Sequence, residues 1–202
     1  EIDLVGHEGG VSSGEFCFTL TMTDIATGWT INRSIKNKAA IWTVKAIEDA
    51  IDSAPFPVLG IDSDNGSEFI NAHLLELCEQ RQITFTRSRP GNKNDGCHVE
   101  QKNWTHVRQL LGYDRLEDPQ LVEPINVLYR ECWEPLHNYF LPSAKLEEKR
   151  REGAKVKRRH DKPLTPCERL LGSPDVDDAT KRKLRARRAS LNPFELNRRI
   201  EE

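Results

Sequence analysis

The chain has 202 residues, of which 37% are hydrophobic and 31% charged, so it can bury one ordinary core beneath a very polar surface. No apolar run approaches the roughly 20 residues of a membrane span. The five cysteines are widely spaced without a Cys-x-x-Cys pair, which indicates neither a disulfide framework nor a zinc site. We therefore expect reduced thiols in a cytoplasmic protein that makes no contact with a membrane.

The chain opens directly in a strand-like run, without an initiator Met or a signal peptide. We therefore expect it to be part of a longer protein. Its net charge of -2 hides an asymmetry: residues 1–142 contain 12 Lys and Arg against 21 Asp and Glu, whereas residues 143–202 contain 18 against 11. An acidic body with a basic tail suits a protein whose active site gathers cations while another part meets a polyanion. A solvated, charged helical tail would give the same pattern.

The first part of the chain has strand patterns at residues 1–5, 15–23 and 28–35, and short turn signals between them indicate an antiparallel meander. The pattern then alternates between helix and strand. Helices are predicted at residues 39–51, 70–80, 98–111 and 119–140, and short strands at 58–61 and 83–87. This order predicts an α/β fold, a mixed five-stranded sheet with helices on its faces.

The character of the chain changes after Pro142. Residues 145–159 are highly charged, and helix-start signatures follow at Thr165 and Asn192, with a helix predicted at 175–190. We predict two parts: residues 1–142 as the core, and residues 143–202 as a mostly helical basic C-terminal extension rather than a second globular domain. The basic run at 149–159 would either neutralise phosphates or pack across another subunit.

Three carboxylates stand on separate predicted elements. Asp64 lies between an apolar strand and a tight Asn-Gly turn, Asp3 lies within the first strand, and Glu100 lies near the start of a helix that follows a loop rich in Gly and Asn. A buried, unpaired Asp3 would be costly without a compensating cation. Carboxylates are hard oxygen ligands for Mg²⁺, and two such ions can catalyse phosphoryl transfer. With 32 Asp and Glu in the chain, chance would also supply such a trio.

The sequence DNGSEF at residues 64–69 resembles the Asp-Asn-Gly-x-x-Phe signature of the retroviral integrase and bacterial insertion-sequence transposase superfamily. Thirty-five residues separate Asp64 from Glu100, as in that superfamily, and Asp3 precedes a hairpin sequence, DIATGW, at 24–29. The resemblance covers about residues 1–142. Beyond them, NYFLP at 138–142 and DKPLTP at 161–166 are similar to the segment after the core in bacterial transposases. The implied fold is ribonuclease-H-like.

The resemblance implies a DDE-type transposase or integrase core that cleaves and joins DNA, with Asp3, Asp64 and Glu100 as catalytic residues and metal ligands. Two Mg²⁺ or Mn²⁺ ions are implied in the active complex. Water would cut the element end and leave a 3′-OH that attacks target DNA. The implied partners are double-stranded DNA and further copies of the chain, in the bacterial cytoplasm. A ribonuclease-H-like nuclease without strand transfer and a non-catalytic DNA-binding or assembly protein are the alternatives.

Residues 88–99 resemble the mobile catalytic loop of the family. The candidates for contact with DNA are Arg89, Lys93, Asn94, His98, Lys102 and Arg108. The chain departs from related integrases, which often carry lysines where it has Trp104 and Val107. A solvated loop and a locally bonded histidine are the plain alternatives. Asp62 would assist the metal ions or bond locally, and Glu68 is expected in the first turn of the next helix.

Overall fold

In the computed structural model, which describes residues 1–89, 92 and 95–202, five strands form one mixed sheet. The strands are β1 (Ile2–Gly6), β2 (Phe18–Thr23), β3 (Thr30–Ile35), β4 (Gly60–Ser63) and β5 (Thr84–Arg87). Their order is β3-β2-β1-β4-β5. Short connections make β1, β2 and β3 antiparallel, whereas β4 and β5 run parallel to β1 because a helix crosses over before each. The predicted sheet is confirmed, and its arrangement is ribonuclease-H-like.

Both faces of the sheet are covered at β3, where all six residues are buried. The crossover helices are α1 (Ala40–Ser53) and α2 (Ala72–Gln80). A third helix is built from α3 (Cys97–Lys102), a π-helical turn (Asn103–Arg108) and α4 (Gln109–Leu111). The fourth is built from a 3₁₀ turn (Pro119–Leu121), α5 (Val122–Leu128), a second π-helical turn (Tyr129–Trp133) and α6 (Glu134–Phe140). The four predicted helices are thus present, two of them with π-helical interruptions.

The C-terminal extension contains a hairpin and three helices. Its elements are β6 (Leu146–Glu152), β7 (Lys155–His160), α7 (Pro166–Gly172), α8 (Asp178–Ser190) and α9 (Pro193–Glu201). Thr165 and Glu168 form the predicted capping box of α7, and Leu170 belongs to the same buried core as the sheet. The predicted helical C-terminal region is present. Its charged run is instead a hairpin, because Gly153 turns the chain with a positive φ. The division after residue 142 stays a prediction.

All five cysteines are free thiols, four of them buried and Cys97 exposed. Within residues 1–89, 92 and 95–202, no helix is both long enough and apolar enough to cross a membrane.

Side chains, rather than another strand, close the outer edge of β3. Asn126 Oδ1 accepts a hydrogen bond from Ser34 N at 2.7 Å, and its Nδ2 donates to Ser34 O at 3.0 Å. Asn138 makes the same pair of bonds with Thr30, at 3.0 and 2.8 Å. Between them, Glu134 Oε1 accepts from a β3 backbone N–H at 2.8 Å. The helix thereby satisfies edge groups that would otherwise recruit a further strand.

A buried guanidinium compensates the charge of Glu134. Arg33, 3% exposed, donates through NH1 to Glu134 Oε1 and to the carbonyl oxygen of Asn32, both at 2.7 Å. It also pairs with Asp49 and donates through NH2 to Ser53 Oγ at 2.7 Å. Burial raises the pKa of Glu134, and the charge of Arg33 opposes that rise. Arg33 therefore holds together β3, α1 and α6.

Candidate active site

Two aspartates come together where β1 meets β4. Ile2 pairs with Ser63 in parallel register, and Asp3 and Asp64 are the residues that follow this pair. The two aspartates are close enough for the charge of Asp64 to raise the pKa of Asp3. Asp3 is half-buried, whereas Asp64 is exposed just beyond the end of β4. The sheet therefore brings together two of the three predicted carboxylates.

Local contacts after Asp64 hold its carboxylate in place. Asp64 Oδ1 accepts a hydrogen bond from Gly66 N at 2.8 Å, and a Cβ on Gly66 would lie only 2.9 Å from that oxygen. Asn65 Nδ2 donates to Ser88 O at 2.9 Å, which ties the turn to the chain after β5. Phe69 is fully buried and anchors the segment in the core. The Asn, Gly and Phe of the signature thus each have a structural role beside the aspartate.

Glu100 approaches from the helix that begins at Cys97. Gly96 caps this helix with a φ of 83°, a conformation that favours glycine. The start of the helix is fastened to β1, because Glu1 Oε2 accepts a hydrogen bond from Val99 N at 2.8 Å. Glu100 itself is exposed. The helix start, and Glu100 with it, is therefore positioned by a contact at the beginning of β1.

The three carboxylates interact electrostatically. Burial, with the negative charges of Asp64 and Glu100, raises the pKa of Asp3 to about 6. Hydrogen bonds from Leu4 N to Oδ1 at 2.8 Å and from Asn103 Nδ2 to Oδ2 at 2.6 Å oppose that rise. A divalent cation would relieve such repulsion, and carboxylate oxygens are the ligands that Mg²⁺ and Mn²⁺ prefer. The donor chemistry therefore fits the cofactor that the resemblance implies.

Asn103 is the clearest site residue that the sequence alone did not reveal. Its Nδ2 donates to Asp3 Oδ2 at 2.6 Å from the first π-helical position, three residues after Glu100. Its Oδ1 is buried and accepts no hydrogen bond from the described protein.

In the described parts of the chain, no three His, Cys, Asp or Glu side chains are already assembled as a metal-binding group.

Two of the side chains predicted to contact DNA, Arg89 and Arg108, make contacts within the protein. The exposed Arg89 donates to Asp95 through its backbone N at 2.9 Å and through NH2 at 2.9 Å. These hydrogen bonds lower the pKa of Asp95 to about 2. Arg108 donates to Gly6 O at 2.9 Å, and its guanidinium lies 4.8 Å from the centre of the Tyr113 ring. Both arginines are thus already engaged within the protein.

His98 and Lys102 are half-buried along the helix of Glu100, and burial lowers the pKa of Lys102. Lys93 and Asn94 lie outside the described residues. Contact of DNA with any of these side chains stays a prediction.

Asp62 and Glu68, the two further acids near Asp64, are explained by contacts and turns close to them in the fold. Asp62 Oδ1 accepts a hydrogen bond from Thr86 Oγ1 at 2.6 Å, which joins β4 to β5. Glu68 precedes α2, whose N-cap is Asn71. The expectation that Glu68 lies in the first turn of that helix is wrong, because the chain makes a separate turn at residues 67–69 before the helix begins.

Comparison with known proteins agrees with the motifs. Residues 1–93 match the model of a family described as Integrase core domain, a segment that includes Asp3 and Asp64 and ends before Glu100. A curated relative, the uncharacterized protein y4rM of Sinorhizobium fredii, is 40% identical over 169 residues, which cover 84% of this chain and 48% of the relative. The chain thus spans about half the length of that relative.

Three solved structures of integrases are also similar. A chain of the simian T-cell lymphotropic virus intasome in complex with PP2A regulatory subunit B56 gamma is 19% identical, with a TM-score of 0.47 over 55% of this chain and 38% of that one. The BIV integrase catalytic core is 20% identical, with a TM-score of 0.43 over 55% and 69%. The HTLV-2 integrase catalytic core in complex with magnesium is 21% identical, with a TM-score of 0.42 over 55% and 66%. Through the family match, the recognition of an integrase core domain is confirmed over residues 1–93 of the chain.

Proposed function

We propose that the chain catalyses metal-dependent DNA strand cleavage and strand transfer, as in transposition or integration, with Asp3, Asp64 and Glu100 as its catalytic residues. One observation carries the proposal: the parallel register sets Asp3 beside Asp64, and Glu100 is near enough for its charge to raise the pKa of Asp3. The family match over residues 1–93 supports it. The core would comprise residues 1–142 and the extension residues 143–202.

In this proposal Asp3 and Asp64 hold divalent ions, Mg²⁺ or Mn²⁺, through their carboxylate oxygens, and Glu100 completes the site from its helix. When bound, two such ions supply activation of the attacking oxygen and stabilisation of the leaving oxygen. Asn103 orients Asp3 through its hydrogen bond of 2.6 Å. The exposed side chain of Glu100 would adjust its rotamer to reach the ions.

The proposed substrates are double-stranded DNA ends and target DNA, in the bacterial cytoplasm. Coordinated joining of two ends to one target needs more than one active site, so we propose a homo-oligomer in the active complex.

The test is a joining assay with the full chain and Mg²⁺ or Mn²⁺. Labelled duplexes from either side of the gene that encodes the chain are expected to become joined to plasmid DNA. Hydrolysis without joining would instead favour a nuclease. DNA binding without either reaction would favour a non-catalytic DNA-binding or assembly protein.

Asn103→Leu is expected to weaken Mn²⁺ binding by about 10- to 100-fold, the usual effect of removing a group that orients a metal ligand. The matched control is Thr105→Ala on the same helix, because Thr105 Oγ1 donates to the carbonyl oxygen of Gln101 at 3.3 Å rather than to the site. Titration of Mn²⁺, followed by electron paramagnetic resonance, measures both affinities. Equal Mn²⁺ affinity in the two variants would contradict a positioning role for Asn103.

A further inference from the structure

The hairpin of β6 and β7 is a ribbon that stands clear of the core. Every residue of its two strands is exposed. Residues 146–160 contain seven Lys and Arg against three Glu. A two-stranded hairpin without an apolar face is only marginally stable in water. The ribbon therefore depends on its own ion pairs or on a partner of opposite charge.

The charges are divided unequally between the two faces of the ribbon. Cross-strand partners share a face, and successive residues along a strand point to opposite faces. The register places Lys149 beside Arg158 and Arg151 beside Val156 on one face, which we call the acid-free face. The opposite face, called the mixed face, contains the pairs Glu148–Arg159, Arg150–Lys157 and Glu152–Lys155.

The acids of the ribbon compensate cations of the mixed face. Glu152 lies 2.6 Å from Lys157 and 3.8 Å from Arg150. Arg159 lies 3.3 and 3.7 Å from two glutamates, one of them at the bulge between Leu146 and Glu148. The mixed face is thus largely neutralised from within the ribbon.

The acid-free face has no such compensation. Lys149 and Arg158 are direct cross-strand neighbours of like charge, which destabilises a hairpin. Among residues 1–89, 92 and 95–202, no carboxylate forms an ion pair with Lys149, Arg151 or Arg158. Arg151 Nε donates instead to Gly153 O at 3.2 Å. Three adjacent cations on this face therefore have no acidic partner within the described residues. They can pair with negative charges of a binding partner.

The base of the ribbon borders a groove that also includes residues of the Glu100 helix. At the base of the ribbon, Leu146 and His160 are paired on the acid-free face. They also line this groove of about 590 Å³, whose lining includes Gln101 and Lys102. Lys102 forms no ion pair with any acid in the described part of the chain. The groove therefore extends from the base of the ribbon to the helix that carries Glu100 and Lys102.

We propose that the acid-free face binds the phosphate backbone of duplex DNA and guides it along the groove towards Glu100. The proposal rests on the proposed function, which identifies DNA as the polyanion. Charge complementarity supports it, and so does spacing. Lys149 and Arg151, two residues apart on a strand, are about 7 Å apart, close to the axial rise of two base pairs. Phosphates along one strand can therefore meet successive cations of the ribbon.

Two charge-matched triple variants of the full chain test this proposal. Lys149→Gln/Arg151→Gln/Arg158→Gln removes three cations from the acid-free face, and Arg150→Gln/Lys157→Gln/Arg159→Gln removes three from the mixed face. Fluorescence anisotropy measures binding to a labelled duplex of about 30 base pairs, in EDTA, over a range of salt concentrations. We expect the acid-free triple to bind about 100-fold more weakly near 0.1 M salt, with a salt slope lower by about 2–3. The mixed-face triple should lose far less.

Equal losses in the two triples would overturn the proposal, because binding would then follow net charge alone. Unchanged binding by the acid-free triple would overturn it as well. Competition by poly-glutamate that is as strong as competition by unlabelled duplex would also overturn the proposal, since the partner would then be an acidic protein. Hydrogen exchange gives a second measurement, in which duplex should protect the ribbon amides of the unmodified chain but not of the acid-free triple.

These measurements need no catalysis, so they can be separated from the proposed function. Normal joining with unchanged binding by the acid-free triple would reject the ribbon site and leave the function standing. Selective loss of binding in a chain that joins no DNA would leave the ribbon site standing and reject the function.

Discussion

Asp64→Asn is expected to lower the rate of strand cleavage and joining by at least about 1000-fold. Bound divalent ions contribute several kcal/mol to phosphoryl transfer, and each 1.4 kcal/mol is a factor of ten in rate. The substitution removes a charged ligand yet keeps the oxygen that accepts a hydrogen bond from Gly66 N at 2.8 Å. The local turn is therefore expected to persist. The initial rate of joining in Mg²⁺ or Mn²⁺ measures the effect.

Asp62→Asn is the matched control, two residues earlier in the same segment. The Asp62 carboxylate accepts a hydrogen bond from Thr86 Oγ1 at 2.6 Å, and the amide oxygen of Asn can keep that bond. This variant should retain most of the activity. Duplex binding by Asp64→Asn should be unchanged or tighter, because a negative charge has been removed beside a polyanion. Joining by Asp64→Asn at the unmodified rate would contradict its role.

Arg33→Met is expected to lower the free energy of unfolding by about 3–5 kcal/mol, the usual cost of leaving a buried charge without its partner. Glu134 would lose the guanidinium 2.7 Å away while remaining buried at the outer edge of β3. Burial already raises the pKa of Glu134, and loss of Arg33 would raise it further. The folded variant then takes up a proton more readily than the unfolded chain. Its stability deficit should therefore be largest at high pH and shrink as the pH falls.

The matched control for that stability change is Arg81→Met. Arg81 pairs with Asp52 at 2.8 Å and with Glu48 at 3.3 Å, but its side chain is 39% exposed. Exposed ion pairs contribute less than about 1 kcal/mol. Urea unfolding at two pH values compares the variants. An Arg33→Met deficit no larger than that of Arg81→Met would show that the buried pair does not hold β3 to α6.

The features that could be predicted from the sequence are those with short-range causes. Alternating apolar residues predict strands such as β2 because side chains alternate between faces. The turn at Asp64 is predictable because its hydrogen bond to Gly66 spans two residues. The same holds for the capping box of Thr165 and Glu168. The interval between Asp64 and Glu100 is a further local signal, although the family match itself ends at residue 93.

Long-range contacts could not be predicted in this way. Asn103 and Asp3 are 100 positions apart, and their hydrogen bond depends on how α3 lies against β1. Asn138 likewise caps the edge of β3 from a distance of 108 residues. No local pattern around either asparagine indicates its partner, because each contact is created by packing of the helix on the sheet.

The ribbon of β6 and β7 could be predicted from the sequence only in part. Its charged composition suits a helix as well as a strand, so residues 145–159 gave no periodic signal for either. Cross-strand pairing around Gly153 decides the structure, and the division into an acid-free and a mixed face exists only in that register. The segregation of charge is therefore a property of the pairing rather than of the composition.

A divalent-cation site shared by Asp3, Asp64 and Glu100 is tested most directly by diffraction from crystals soaked in Mn²⁺, with data collected at the manganese absorption edge. We predict an anomalous peak within bonding distance of carboxylate oxygens of both Asp3 and Asp64, which follow the paired residues Ile2 and Ser63. The peak should be lost in crystals of Asp64→Asn. Manganese bound only elsewhere, or an undiminished peak at Asp3 in the Asp64→Asn crystals, would contradict the proposed site.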